Sequence, residues 1–247
     1  MNGYEPCSEI SVQSGLVGAE AWLFDLDNTL YPAASNLFNQ IDQRMGAYIS
    51  NLLGISRQHA RDIQKSYYRD FGTTLNGLMH NHSADPDAYL EYVHDIDLTV
   101  ISAAPSLASA LSQLPGRKIV FTNGSTVHAE RVMTRLGIAK YFEGIHDIKA
   151  SEYKPKPDYA AYHSVISRFQ LTPGSLIMVD DIPANLEPAS ALGVTTVWAR
   201  NEGWARQTVA NYIDHVTDNL AEWLTCVVAR SDATVVDEVD SSMGRKY

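Results

Sequence analysis

Short runs rich in Val, Ile, Phe and Thr recur along this chain with helical patterns between them, and that alternation limits the fold more than any other feature. The runs are Trp22-Leu23-Phe24, Lys118 to Thr122, Gly144 to Ile148, Leu176 to Asp180, Val194 to Trp198 and a weaker His215-Val216-Thr217. Polar residues, Gly or Pro bound each of them. Strands that alternate with helices predict a parallel sheet covered on both faces. Between them, Ser125 or Thr126 caps a helix with apolar Ala129, Val132, Met133 and Leu136, and Gly137 closes it. Another helix follows Pro157, with Tyr159, Tyr162, Val165, Ile166 and Phe169 on one side.

One stretch breaks the alternation. From about Pro32 to Ala104 no strand is legible. Leu37, Phe38, Ile41, Met45, Ile49, Leu52 and Leu53 recur at helical spacing. Ser56 opens a second helix carrying Ala60, Ile63, Tyr67 and Phe71, and Asp85-Pro86 opens a third with Tyr89, Leu90 and Val93. A crossover between parallel strands needs only roughly a dozen residues. The excess predicts a helical subdomain inserted over the carboxyl edge of the sheet. The expected division is a discontinuous core, residues 1–31 and 105–228, a helical insertion, residues 32–104, and a polar, acidic, disordered tail, residues 229–247.

Composition removes several function classes. The chain has 247 residues and a formal net charge of −10, which disfavours nucleic-acid binding because nothing attracts a phosphate backbone at long range. There is no long apolar run for a membrane span, and the segment Met1 to Glu20 lacks the basic and apolar parts of a secretory signal. Two cysteines, Cys7 and Cys226, make no disulfide framework and no CxxC motif. A cytoplasmic protein is expected.

Four polar groups fall at the carboxyl ends of the predicted strands, where ligand sites of open α/β sheets lie. After the first strand comes Asp25-Leu26-Asp27-Asn28-Thr29-Leu30. Two carboxylates in one place repel unless a cation sits between them or one is protonated, so Asp25 suits a nucleophile and Asp27 a proton donor and acceptor. The plainer reading is a turn cap beside a solvated carboxylate. After the second strand, Thr122, Asn123, Gly124 and Ser125 offer hydroxyl, amide and backbone N–H groups to an anion at a helix start, or form an ordinary capped turn. In Lys154-Pro155-Lys156-Pro157 a restrained lysine can neutralise a phosphate, or lie solvated. Asp180-Asp181, with Asn185 behind them, add hard oxygen ligands of the kind Mg²⁺ takes, or merely an acidic loop. A parallel sheet gathers all four groups into one Mg²⁺ and phosphate site.

These motifs, in this order, resemble those of the haloacid dehalogenase-like superfamily of aspartate-nucleophile phosphohydrolases: Asp25 to Pro32, Phe121 to Ser125, Lys156-Pro157 and Asp180-Asp181. The resemblance covers about residues 20 to 225. More narrowly, the helical insertion, Tyr67 to Leu75 and Ala191 to Thr196 are similar to the pyrimidine 5′-nucleotidase subfamily. The resemblance implies a Rossmann-like, doubly wound α/β core with a helical cap. It implies that Asp25 forms an aspartyl-phosphate and that Asp27 protonates the leaving alkoxide and then activates water. Thr122, Asn123, Gly124 and Lys156 hold the phosphoryl group, with Lys154 as the alternative lysine. Mg²⁺ takes the Asp25 carboxylate, the Asp27 carbonyl, Asp181, and Asp180 directly or through water. Dehalogenases of the family lack the aspartate at the position of Asp27.

The implied function is Mg²⁺-dependent hydrolysis of a small phosphorylated metabolite, with UMP and CMP favoured. A phosphatase for sugar phosphates is the neighbouring reading, and a catalytically idle phosphate sensor or partner-binding domain is the reading of another class. Cap residues Tyr48, Tyr67, Tyr68, Phe71, Arg69, Asn76, His80 and His82 can meet a base, although most of the aromatics are expected in the cap's own core. His128 reads as a surface or packing residue.

Overall fold

A computed structural model of the protein describes residue 16, residues 18–204 and residues 207–230. Cys7, most of the segment Met1 to Glu20 and nearly all of the expected tail lie outside the described residues.

The six expected strands form one sheet: β1 (Ala21–Phe24), β2 (Arg117–Phe121), β3 (Gly144–His146), β4 (Leu176–Asp180), β5 (Thr195–Ala199) and β6 (His215–Thr217). Their order is β3-β2-β1-β4-β5-β6 and every pairing is parallel. The chain winds outward from β1 to β3, then returns to β1's other side and winds outward to β6. That reversal places a crevice between β1 and β4, where ligands of such sheets bind.

The central strands are apolar on both faces because both are covered. Trp22 and Phe24 of β1 join Val120, Ile177, Val179 and Val197 on one face. Against them pack Leu107, Ala110 and Leu111 of α5 (Pro105–Gln113), Ala129, Val132 and Met133 of α6 (Thr126–Leu136), and Leu224 and Val227 of a final helix over residues 220–230. On the opposite face Leu23, Ile119, Phe121, Met178 and Trp198 meet Ala161, Tyr162 and Val165 of α7 (Tyr159–Phe169) and Leu186 and Ala189 of α8 (Pro183–Ala191). Tyr159, expected on the buried side of α7, is exposed. Residue 230 is still helical, one position beyond the expected start of the tail.

Between β1 and β2 the chain makes α1 (Leu37–Leu53), α2 (Arg57–Phe71), α3 (Thr74–His82) and α4 (Pro86–His94). Ser56 caps α2 by accepting from the His59 amide, and Asp85 caps α4 through the amides of Asp87 and Ala88, as their sequence positions predict. Helix α3 is an addition to the three expected. Thr73 caps it, and its buried apolar side chains are Leu75 and Leu78, with Met79 partly buried beside them and Gly77 pressed so closely onto Tyr67 that a Cβ there would lie 2.3 Å from the ring. Most of the insertion's aromatics pack on each other. Tyr48 meets Tyr89 and Tyr92 edge-on, and Tyr67 meets Phe71.

The return from α4 to α5 is tied to the sheet side. Arg131 donates to the carbonyls of His94 and Ile96, and Arg135 to those of Leu98 and Ile101. Asn76 reaches the Tyr153 carbonyl at 2.9 Å. Among the described residues no helix is long and apolar enough to cross a membrane.

Candidate active site

The Asp25 amide donates to the Val179 carbonyl at 2.9 Å, so the residue after β1 is still laced to β4. This brings Asp25 beside Asp180, the last residue of β4, and Asp181 after it. One carboxylate oxygen from each of the three lies within 4.8 Å of the others, and all three residues are buried. Lys156 reaches them from the loop between β3 and α7. Its Nζ donates to Asp25 Oδ1 at 2.7 Å, Asp180 Oδ2 at 2.7 Å and the Phe121 carbonyl at 2.8 Å. Lys156 is 2% exposed, whereas Lys154 is exposed and far more solvated, so Lys156 is the lysine at this cluster.

Three buried carboxylates face one ammonium. Burial raises the Asp25 carboxyl, and Asp180 and Asp27 add to this against the pull of Lys156, leaving it at about 7. Burial, then Asp25 and Asp180, push Asp181 up to about 9. The deficit of positive charge, with hard oxygen donors already converging, fits a small divalent cation. Asp25, Asp180 and Asp181 supply the carboxylates. Asp180 is the most occupied, since it also accepts from the Ile182 amide and from Asn185 Nδ2. Asp181 accepts from Asn201 Nδ2 on Oδ2.

Asp27 stands apart from this cluster. Asn28, at φ 61°, turns the chain, and the Asp27 carboxylate points to another set of partners. Tyr31 donates its hydroxyl to Oδ1 at 2.6 Å, and His128 Nε2 lies 2.9 Å from the same oxygen. Burial would raise the Asp27 carboxyl, but the charge and hydrogen bond of His128, with the Tyr31 hydrogen bond, outweigh it and lower it below its ordinary value. The carboxylate therefore takes no part in the acidic cluster, and the metal role implied for Asp27 concerns its main-chain carbonyl. Of the two readings from sequence, surface or packing, His128 takes the second: it is 1% exposed, and it is also in direct contact with Asp27.

The residues after β2 also hold the surrounding loops together. Asn123 spends its side chain on the Lys156 backbone, donating to its carbonyl at 3.1 Å and accepting from its amide at 2.8 Å. It orients the lysine loop, which takes one of its two Nδ2 hydrogens. The Gly124 amide donates to Thr122 Oγ1 at 2.9 Å. Gly124 lies close to both groups: a Cβ there would stand 3.3 Å from Thr122 Oγ1 and 3.7 Å from Asp27 Oδ2. The hydroxyl hydrogen of Thr122 remains for a ligand oxygen.

Most of these groups open into one cavity of about 380 Å³ between the sheet edge and the insertion, with Asp180, Tyr31 and His128 set behind its lining. Its floor carries Asp25, Asp27, Thr122, Lys156 and Asp181. Its roof carries Phe38, Ile41, Met45, Leu75, Leu90 and Val93. Of the four cap aromatics expected near a base, Tyr68 lines the cavity, and it is 57% exposed. Arg69 pairs with the adjacent Asp70 at the surface.

The family model for haloacid dehalogenase-like hydrolases matches residues 19–193, which includes every residue of the site floor. The chain belongs to the haloacid dehalogenase-like hydrolases. This hydrolase is 27% identical over 197 residues to Phosphate metabolism protein 8 of Saccharomyces cerevisiae, covering 71% of this chain. The match spans 60% of the length of that curated relative. Among solved structures it is similar to the magnesium-bound hydrolase YfnB of Bacillus subtilis, with TM-score 0.56, 15% identity and coverage of 85% of this chain and 98% of that one. It is also similar to a phosphatase of Thermococcus onnurineus, with TM-score 0.56, 21% identity and coverage of 83% and 95%. At these identities the likeness is one of fold.

Proposed function

We propose that this hydrolase is a cytoplasmic Mg²⁺-dependent phosphomonoesterase of nucleotide metabolism that cleaves pyrimidine nucleoside 5′-monophosphates, UMP and CMP, to nucleoside and phosphate. In this reading residues 1–31 and 105–228 form the catalytic core and residues 32–104 its cap. The observation that carries it is the cluster of Asp25, Asp180, Asp181 and Lys156 under a cavity that also holds Asp27.

Asp25 is the nucleophile. One of its oxygens bonds to phosphorus as the bond from phosphorus to the ester oxygen breaks, giving an aspartyl-phosphate. The proton on Asp27 goes to the departing alkoxide. Asp27 then takes a proton from water as the water oxygen attacks phosphorus and the Asp25 carboxylate leaves. Free Asp27 is ionised by its partners, which suits the second half; the doubly charged substrate raises its affinity for the proton needed in the first. Lys156 offsets charge on Asp25 and the phosphoryl oxygens, the Thr122 hydroxyl donates to one of those oxygens, and Asn123 holds the Lys156 loop in register. Asp25, Asp181 and the Asp27 carbonyl would hold Mg²⁺, with Asp180 directly or through water. Bound there, Mg²⁺ would neutralise phosphoryl charge that builds up in the transition state.

The roof favours a substrate with a flat, weakly polar part. Phe38, Met45, Leu75, Leu90 and Tyr68 present apolar and aromatic surface to the cavity, which suits a base, while Asp42, Gln64, Thr73 and Thr74 beside them offer polar groups to a base edge or a ribose hydroxyl. The test is phosphate release at neutral pH from UMP, CMP, dUMP, AMP, GMP and a hexose phosphate, each with and without chelator. Chelator-sensitive release concentrated on UMP and CMP is expected. Release spread evenly over the panel would make the enzyme a general small-phosphate phosphatase, and none from a folded protein that binds Mg²⁺ would favour a phosphate sensor.

A further inference from the structure

Asp27 is fastened by one oxygen only. Tyr31 and His128 both bond to Oδ1, while Oδ2 accepts none of the hydrogen bonds found among the described residues. Oδ2 faces the space beside Gly124 and Thr122. A carboxylate only accepts, so the His128 nitrogen that donates to it, Nε2, carries the hydrogen.

What holds His128 in that pose is unusual. A histidine that orients a carboxylate is ordinarily fixed by a hydrogen bond at its second nitrogen. Nδ1 of His128 is buried and has no such partner. Its ring instead lies flat on the ring of His94, with centroids 4.3 Å apart and planes 8° from parallel. His94 is itself fixed. Its Nδ1 lies 2.9 Å from Ser125 Oγ, its carbonyl accepts from Arg131 at 2.9 Å, and it is 7% exposed. Ser125 is also the residue that caps α6 by accepting from the His128 amide, so one hydroxyl serves both histidines. His94 is the last residue of α4 and belongs to the insertion, whereas His128 belongs to α6 on the sheet.

We propose that His94 and His128 are positioning residues for proton transfer by Asp27. The stacked pair fixes Oδ1, so that the proton travels on Oδ2, and this geometry is complete only when the insertion is seated on the sheet. The proposal rests on the phosphomonoesterase reading above. It adds to that reading a route by which the cap acts on the chemistry rather than on substrate choice alone.

The test separates substrates by leaving group. Alkoxide departure needs a proton, whereas 4-nitrophenolate leaves without one, and kcat/KM reports the steps up to that departure. Wild type, His128→Leu, His128→Gln, His94→Ala and His94→Phe are compared on 4-nitrophenyl phosphate and on whichever alkyl phosphate of the panel turns over fastest. For the alkyl phosphate, His128→Leu is expected to lose on the order of 10²-fold in kcat/KM and His94→Ala about tenfold, with 4-nitrophenyl phosphate changing less than about threefold. His128→Gln, which keeps a donor near the Nε2 position, and His94→Phe, which keeps a flat ring, are expected to recover most of the loss.

Equal losses on both substrates, or no loss in a folded variant, would overturn the proposal. If His128→Leu does not fold, the contrast of His94→Ala with His94→Phe decides it in the same way. Failure of this inference is distinct from failure of the function. An active wild type whose Asp27→Asn variant shows the leaving-group split while the histidine variants do not would overturn the positioning role alone. A wild type that cleaves neither substrate would overturn both.

Discussion

Asp25 and Asp27 leave the same strand end with one residue between them, yet they enter opposite surroundings. Asp25 sits with two more carboxylates and one lysine, and its carboxyl is raised to about 7. Asp27 sits with a tyrosine hydroxyl and a histidine, and its carboxyl is lowered. Their neighbours push the two groups apart in proton affinity, which is how a pair of like residues comes to hold different roles. The turn at Asn28 contributes by bringing the chain back so that Tyr31 reaches Asp27.

Substitutions at the two positions give the largest expected contrast. Asp25→Asn removes the nucleophile, and phosphate release from every substrate is expected to fall by on the order of 10⁴-fold or more. Asp27→Asn removes only proton transfer. Its kcat/KM for alkyl phosphates is expected to fall roughly 10²- to 10⁴-fold, with a much smaller fall for 4-nitrophenyl phosphate. Steady-state kinetics on both substrates checks the pair, and equal behaviour of the two variants would erase the distinction between the residues.

A stability measurement sharpens the electrostatic side. Lys156→Met strips the ammonium from Asp25 and Asp180 and is expected to cost about 3–5 kcal/mol, because it leaves buried charge without a partner. Mg²⁺ should oppose this class of strain: at 100 times its dissociation constant it is expected to stabilise wild type by about 2.7 kcal/mol. Thermal unfolding with Mg²⁺ and with chelator measures both, and a melting temperature indifferent to Mg²⁺ would count against a cation at the acidic cluster.

The remaining expected effect is on acid stability. Burial, then the charge of His128, lowers His94 from 6.5 to about 3, and burial, then Arg168, lowers His146 to about 4. Between those values and 6.5 the unfolded chain binds protons that the fold refuses. Stability from these two residues is complete above about pH 6.5 and is lost as pH falls toward 3 to 4. His146→Phe, at a site between Phe121 and Phe169, is expected to flatten part of this acid limb in unfolding scans from pH 7 to 4. An unchanged slope would show that His146 does not contribute.

Much of the architecture was legible in the chain because burial on two faces leaves plain apolar runs. Leu176 to Asp180 is read correctly to the residue. Helix α3 was not legible, since Asn76, His80, Asn81 and His82 dilute its short apolar face and its reason for existing is the contact of Gly77 with Tyr67. At the site, the carboxylates and Lys156 were visible through their positions at strand ends. The partners of Asp27 were harder to see. A single histidine inside a helix carries no local signal, and His128 acquires its meaning only when the sheet sets α6 against the turn after β1. Asn123 was visible as a polar group, but its task of holding the Lys156 backbone depends on a loop distant in sequence. One clue was available: Ser125, the helix cap, stands three residues before His128, and a cap hydroxyl next to a strand end is a natural anchor for an imidazole.

The central position of β1 has a consequence for how this chain acquires its structure. Trp22 pairs with Lys118 on one side and with Ile177 on the other, so the middle of the sheet cannot be zipped from neighbouring residues. Closing so long a loop of random chain is slow, because its entropy must be surrendered before the strands reward it. Helices α1 to α4 contact one another locally, α1 with α2 and α2 with α3, and can gather while β1 is still unpaired. Once gathered, they bring the two ends of the intervening chain together and present β1 to β2 over a much shorter effective tether. The order of events would then run from the inserted helices to the sheet, so that the roof of the cavity forms before its floor.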